Sequence, residues 1–204
     1  RGMNIRQCAA WLCEHDNVLL LTHVRPDGDT LGGAAALCSA LRRMGKKAAL
    51  YNNPDITPKY MKYVKDYIAD SFEYSRTVAV DVAEAHMLPT GFIGGIDVCI
   101  DHHKVNKFKA PLSCINPSAA ACCEIIYRII KDLGVDIDKE IAACLYTGIS
   151  TDTGCFEYSN TSADSHYIAA KLMECGEPVA KINESIFTKK SRIKLETEKN
   201  MYKN

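Results

Sequence analysis

Short apolar runs alternate with amphipathic stretches along most of this 204-residue chain. Ile5, Cys8, Ala9 and Leu12 recur at helical spacing over residues 4–15, and Val18-Leu19-Leu20-Leu21 is a continuous apolar run of strand length. After a polar turn at 23–29, Leu31 to Met44 reads as a helix closed by Gly45, with Asp29 and Thr30 as capping residues. Ala48 to Tyr51 predicts a second strand, and a Tyr- and Lys-rich helix follows near 59–68. Thr77 to Val80, Ile96 to Ile100 and Leu112 to Ile115 predict three more strands. Helices are expected from Ser118 to about Leu133, from Asp138 through Ile149, and over 162–175, 178–187 and 189–202. Strands alternating with helices define βαβ units with right-handed crossovers. The fold class is therefore α/β, a mostly parallel, five-stranded Rossmann-like sheet with helices on both faces, followed by a helical connector.

Three of these strands end in acids and imidazoles. The first runs into Thr22-His23, then Asp27 and Asp29; the third ends at Asp81; the fourth ends at Asp101-His102-His103. In an open α/β sheet, ligands bind at the carboxyl ends of the strands, so all these groups meet along one edge. Such a crowd of like charges is costly unless a cation compensates it. Imidazole beside carboxylate is a donor set that divalent transition metals accept. In His23-x-x-x-Asp27-x-Asp29, Pro26 and Gly28 force a tight loop that turns both carboxylates toward the histidine. The segment from Gly148 to Gly154 interrupts an apolar helix with polar, turn-forming residues. Asp152 there is a candidate last ligand, with Ser150, Thr151 and Thr153 as orienting or substrate-contacting hydroxyls. Gly32-Gly33 near a helix start would let a phosphate approach the backbone. Arg25 can offer a phosphate two donors.

Composition narrows the class of partner. Hydrophobic residues make up 47% and charged residues 25% of the chain, as in ordinary globular proteins. Twenty-five basic residues balance twenty-five acidic ones, which disfavours a long nucleic-acid track or an anionic membrane as partner. No apolar run reaches the roughly 18 residues of a membrane span. The ten cysteines lie mostly among aliphatic neighbours and form no C-x-x-C pair, so free thiols and a reducing, cytoplasmic location are expected. Tyr60, Tyr63 and Tyr67 recur at helical spacing and are expected to pack their helix against the sheet.

Four segments together, His23-x-x-Pro26-Asp27-Gly28-Asp29, Val80-Asp81, Asp101-His102-His103 and Gly148-x-Ser150-Thr151-Asp152-Thr153-Gly154, resemble the DHH phosphoesterase superfamily in order and spacing. The Pro-Asp-Gly-Asp form of the first motif is similar to the branch of bifunctional oligoribonuclease/pAp phosphatases. The resemblance implies a phosphoester hydrolase with two divalent ions, manganese before magnesium. One ion would be held by His23, Asp27 and Asp81, and the second by Asp29, Asp81, His102 and Asp152. His103 would contact the scissile phosphate and Asp101 would orient a neighbour. The implied substrate is a small nucleotide or short oligonucleotide, and a homodimer is compatible with the resemblance. A pyrophosphatase or polyphosphatase of the same superfamily is the alternative, and a non-catalytic metal- or nucleotide-binding regulatory domain is the second. In domain terms, residues 1–3 are expected to be an expression remnant or trimmed start. Residues 4–160 would be the catalytic domain, and 161–204 a helical extension toward a substrate-binding domain.

Overall fold

The computed structural model describes residues 1–176 and 178–188. Its centre is one parallel sheet of six strands: β1 (Val18–Leu21), β2 (Ala48–Tyr51), β3 (Ile68–Ala69), β4 (Arg76–Val80), β5 (Val98–Asp101) and β6 (Leu112–Ile115). Their spatial order is β3-β2-β1-β4-β5-β6. The strand missed by sequence is β3, whose two residues pair with Leu50 and Tyr51 and are too few to show a period. Gly2 also pairs in parallel with Ser113, so residues 1–3, set outside the fold on sequence, lengthen the sheet beyond β6.

The two faces of the sheet are covered differently. Val18, Leu20, Leu50, Val78, Val80, Val98 and Ile100 point into the larger core, which all the described α-helices share. Leu19, Leu21 and Ala79 point the other way and meet Met87, Leu88, Phe92 and Phe108. Those residues come from loops and from a single 3₁₀ turn, Ala85–Met87. Among the described residues, the expected helix cover is therefore met on one face only. The crossovers from β4 to β5 and from β5 to β6 are loops, because Pro89, Gly91, Gly94, Gly95 and Pro111 interrupt any helical period there.

The helices are α1 (Ile5–Glu14), α2 (Gly28–Arg43), α3 (Pro58–Val64), α4 (Cys122–Asp132), α5 (Lys139–Asp152), α6 (Ala163–Glu174) and α7 (Val179–Asn183). Helix α2 starts three residues before the expected Leu31. Its cap is Asp27, whose carboxylate accepts the backbone N–H groups of Asp29 and Thr30. Helix α5 does not break at Gly148 but continues to Asp152. Ile168, Ala169, Leu172 and Ile182 join the main core, so α6 and α7 dock on the domain. The helix expected over 189–202 lies outside the described residues. No described helix is long and apolar enough to cross a membrane, and no disulfide joins the ten cysteines.

Gly32 and Gly33, expected to approach a phosphate, serve packing instead. Both are buried inside α2. A Cβ at Gly32 would collide with the Cys144 carbonyl on α5, and one at Gly33 would press on Val80 at 3.1 Å. A Cβ at Gly148 would collide with the Cys123 sulfur. Missing side chains thus let α2, α4 and α5 close around one point, and Asp29 lies at that point.

Candidate metal centre

Strand order reverses between β1 and β4, and the crevice this creates is where a doubly wound sheet binds ligands. His23 follows β1, Asp81 follows β4, and His102 and His103 follow β5. Helices α2 and α5 add Asp29 and Asp152 from above. The structure brings together all six residues expected to bind metal. Together with His103, their donor atoms form three overlapping groups: His23, Asp27 and Asp81; Asp29, His102 and Asp152; and Asp81, His102 and His103.

Each imidazole is aimed by its other nitrogen. Nδ1 of His23 lies 2.8 Å from the Val24 carbonyl, which leaves Nε2 facing Asp27 and Asp81, each at 3.6 Å. Nδ1 of His102 lies 3.2 Å from the Ala119 carbonyl. Its Nε2 faces Asp152 at 3.1 Å, Asp81 at 3.4 Å and Asp29 at 3.7 Å. Fixing one ring nitrogen with a carbonyl is how proteins present the other to a metal. His103 is held the opposite way, with Nδ1 2.7 Å from Oδ1 of Asp101.

Asp81 supplies the most direct test of whether the residues fit a metal. Its Oδ1 is buried and makes no hydrogen bond with any described residue. It stands 3.4 Å from Nε2 of His102 and 3.5 Å from Nδ1 of His103, in ion-pair range of both rings but without hydrogen-bond geometry. A buried carboxylate oxygen that accepts no hydrogen bond is expensive. Asp81 also holds the left-handed backbone, at φ +61°, which most residues avoid. Strain and an orphaned acceptor coincide on the residue between the two donor groups. Carboxylate oxygens facing imidazole nitrogens across such gaps are spaced to share a cation.

Asp29 is fully buried, and its two oxygens accept the backbone N–H groups of Cys122 at 2.6 Å and Cys123 at 2.9 Å. Helix α4 has no capping side chain of its own at Ala121, so Asp29 closes its N-terminus from another helix. The carboxylate is therefore anchored before any ion arrives.

Proton affinities follow from this crowding. Burial, then the neighbouring Asp152 and Asp81, push Asp29 well above the usual carboxylate range. Burial and the charges of Asp81 and Asp27 raise Asp152, against a hydrogen bond from His102. Burial opposes a charge on His23, but Asp27, the Val24 carbonyl and Asp81 prevail and raise it to about 9. Burial is likewise outweighed at His102, where Asp152 and Asp81 raise the ring to about 12. In the absence of an ion, the centre thus holds protons where a cation would neutralise it.

Several expected contacts lie elsewhere. The hydroxyls of Ser150, Thr151 and Thr153 are not free for substrate. They donate to Asn183 Oδ1 at 2.7 Å, the Thr147 carbonyl at 2.9 Å and the Ile149 carbonyl at 2.6 Å. Arg25 is exposed on the loop after β1, also in the left-handed region at φ +51°. Asp101 has no exposed surface and touches the centre through His103. Sequence reading missed three supports. Asn106 donates to Asp101, Asn53 donates to the His23 carbonyl, and Asn160 bridges the carbonyls of Ala120 and Asp152. Isolated asparagines carry no motif; the one available signal was that Asn favours turns.

The chain is 32% identical over 175 residues to the bifunctional oligoribonuclease and PAP phosphatase NrnA of Thermus thermophilus, a match covering 83% of this chain and 53% of that protein. It spans about half the length of the curated relatives it matches. Among solved structures, an exopolyphosphatase-related protein from Bacteroides fragilis superposes with a TM-score of 0.84 at 24% identity, over 98% of this chain and 64% of that one. The exonuclease RecJ bound to manganese superposes with a TM-score of 0.52 at 14% identity, covering 91% and 55%. At these identities both structures speak to the fold. The model described as the DHH family, N-terminal domain, matches residues 17–149, and the chain belongs to that family.

Proposed function

We propose that this chain is the catalytic domain of a metal-dependent phosphoesterase that hydrolyses a phosphate ester of a small nucleotide or short oligonucleotide. The observation that carries the reading is the set of donor groups that meet at Asp81, whose buried Oδ1 accepts no hydrogen bond from any described residue and faces the rings of His102 and His103. His23, Asp27 and Asp81 would hold one divalent ion, and Asp29, Asp81, His102 and Asp152 a second. Manganese is the first choice, since it is the ion named for the RecJ neighbour. Two such ions lower the pKa of bound water and neutralise phosphoryl oxygens.

The chain's own residues do the rest. The Val24 and Ala119 carbonyls keep the Nε2 atoms of His23 and His102 turned inward. Asp101 occupies Nδ1 of His103, so the Nε2 of this half-exposed ring is left to meet a phosphoryl oxygen or protonate a leaving group. Arg25, exposed on the loop after β1, would offer a donor to a second phosphate. The catalytic domain expected over residues 4–160 also takes in Gly2, which pairs with the sheet, and α6 and α7, whose residues join its core, and the chain beyond them would lead toward a substrate-binding domain. Ten thiols without a disulfide fit a reducing cytoplasm. The name of the Thermus relative supports nucleotides as substrates.

Incubation with Mn²⁺ and pAp, a dinucleotide or pyrophosphate tests the proposal. Release of phosphate from pAp or of mononucleotides from the dinucleotide is expected. Cleavage of pyrophosphate alone would make the protein a pyrophosphatase. Absence of cleavage with all three, in a protein that binds Mn²⁺, would leave a regulatory metal-binding domain.

A further inference from the structure

Asp101 is buried with both carboxylate oxygens engaged. Oδ1 lies 2.7 Å from Nδ1 of His103, and Oδ2 accepts a 2.6 Å hydrogen bond from Nδ2 of Asn106. The Asn106 amide is itself fixed on every side. Its Nδ2 also donates to the Val82 carbonyl at 3.2 Å, just past β4, while its Oδ1 accepts the N–H of Phe108 at 2.9 Å. With donors on one end and an acceptor on the other all in use, the amide has a single orientation. A rigid path therefore runs from the backbone after β4, through Asn106 and Asp101, to the ring of His103.

The direction of that ring matters because His103 has two places to go. In the structure its Nδ1 also lies 3.5 Å from the orphaned Oδ1 of Asp81, and His103 joins Asp81 and His102 in the third donor group. A ring released from Asp101 would be free to bring Nδ1 to a cation at Asp81. Held by Asp101, it stays out of the ligand set and keeps Nε2 for substrate. Asn106 suits this task because it is neutral. A lysine or arginine at the same place would satisfy Asp101 equally but would compete with His103 for its charge. Asparagine fills the second oxygen and leaves the carboxylate's charge directed at the imidazole.

We propose that Asn106 is a positioning residue that locks Asp101 and thereby commits His103 to the phosphoryl group rather than to the metal ions. The proposal rests on the phosphoesterase reading above for its kinetic consequence, while its structural consequence is independent of that reading.

Two variants separate this role from simple anchoring of the loop. Asn106→Ala removes every contact. Asn106→Asp keeps an oxygen for the Phe108 N–H but offers Asp101 no donor. Both should lower kcat on pAp with Mn²⁺ by about 10- to 100-fold, with KM changed by less than about threefold. In the protein without metal, ¹⁵N-histidine NMR should show the Nδ1–H signal of His103 lost or shifted in both variants, while the signals of His23 and His102 persist. The double variant with Asp101→Ala should be no slower than Asp101→Ala alone. An Asn106→Asp variant with wild-type kcat and an unchanged His103 signal would overturn the proposal, as would full additivity with Asp101→Ala. If the wild-type protein cleaves nothing, the phosphoesterase reading fails but the NMR result still decides what Asn106 does.

Discussion

The two sides of the candidate metal centre use the same residue types yet are embedded differently. On one side, Asp27 belongs to a loop and has a side chain about half exposed, at 47%. It caps its own helix, and its carboxyl is held below the usual range: burial raises it, but His23 and the backbone N–H groups of Thr30 and Asp29 more than compensate. On the other side, Asp29 is sealed between α2, α4 and α5, caps a foreign helix and is pushed upward. The first side is an ordinary surface carboxylate made acidic by a partner. The second is a buried carboxylate whose charge is stabilised by a helix N-terminus and would be neutralised by a cation. Asp81 belongs to both, so the difference teaches which half of the centre is part of the fold and which half is mounted on it.

The largest effect should come from the shared residue. Asp81→Asn, which tolerates the left-handed backbone, should reduce Mn²⁺-dependent turnover of pAp by at least about a thousandfold while circular dichroism stays native. Wild-type-like turnover would break the idea of a bridging ligand. The next effect compares the two sides directly. Asp29→Ala leaves two buried N–H groups of α4 without an acceptor and should destabilise the metal-free protein by about 3 kcal/mol. Asp27→Ala removes a more exposed cap and should cost about 1 kcal/mol. Equal losses by chemical denaturation would erase the distinction.

A third effect is read through pH. His23 is raised from about 6.5 to about 9, so the folded, metal-free protein binds an extra proton between these values. That stabilisation is complete below pH 6.5 and is lost as pH rises through 9; His102, Asp29 and Asp152, all raised, act in the same direction. Asp27 and Asp101 are lowered, and their contribution disappears only as pH falls below the ordinary carboxylate range. Metal binding displaces the protons, so the gap in melting temperature between Mn²⁺-loaded and metal-free protein should widen from pH 6.5 to 9. A constant gap in scanning calorimetry would contradict this. The smallest effect concerns the loop after β1: Arg25→Ala should raise KM for pAp by about threefold in moderate salt and leave kcat unchanged.

Much of this architecture was legible in the chain because strand ends concentrate chemistry. An apolar run that stops at His23, Asp81 or Asp101 announces both the strand and its exit, and all six expected metal donors meet in the structure. What escaped had local signals too short or too plain. Strand β3 spans two residues, and Asn106 looks like any turn asparagine. Gly32-Gly33 read as a phosphate approach because periodicity cannot tell a helix start from a helix interior three residues on. Once Asp27 caps α2, those glycines fall where α5 presses closest. The loop-covered second face followed from two crossovers that are loops, which a βαβ rule fills with helices by default.

The central claim is that Asp81 stands between two ions, and equilibrium binding of Mn²⁺ followed by electron paramagnetic resonance tests it most directly. The account predicts two ions per chain with an exchange-coupled signal, collapsing to the spectrum of uncoupled Mn²⁺ in Asp81→Asn. A single uncoupled ion in the wild-type protein, or a coupled signal that survives in Asp81→Asn, would contradict it.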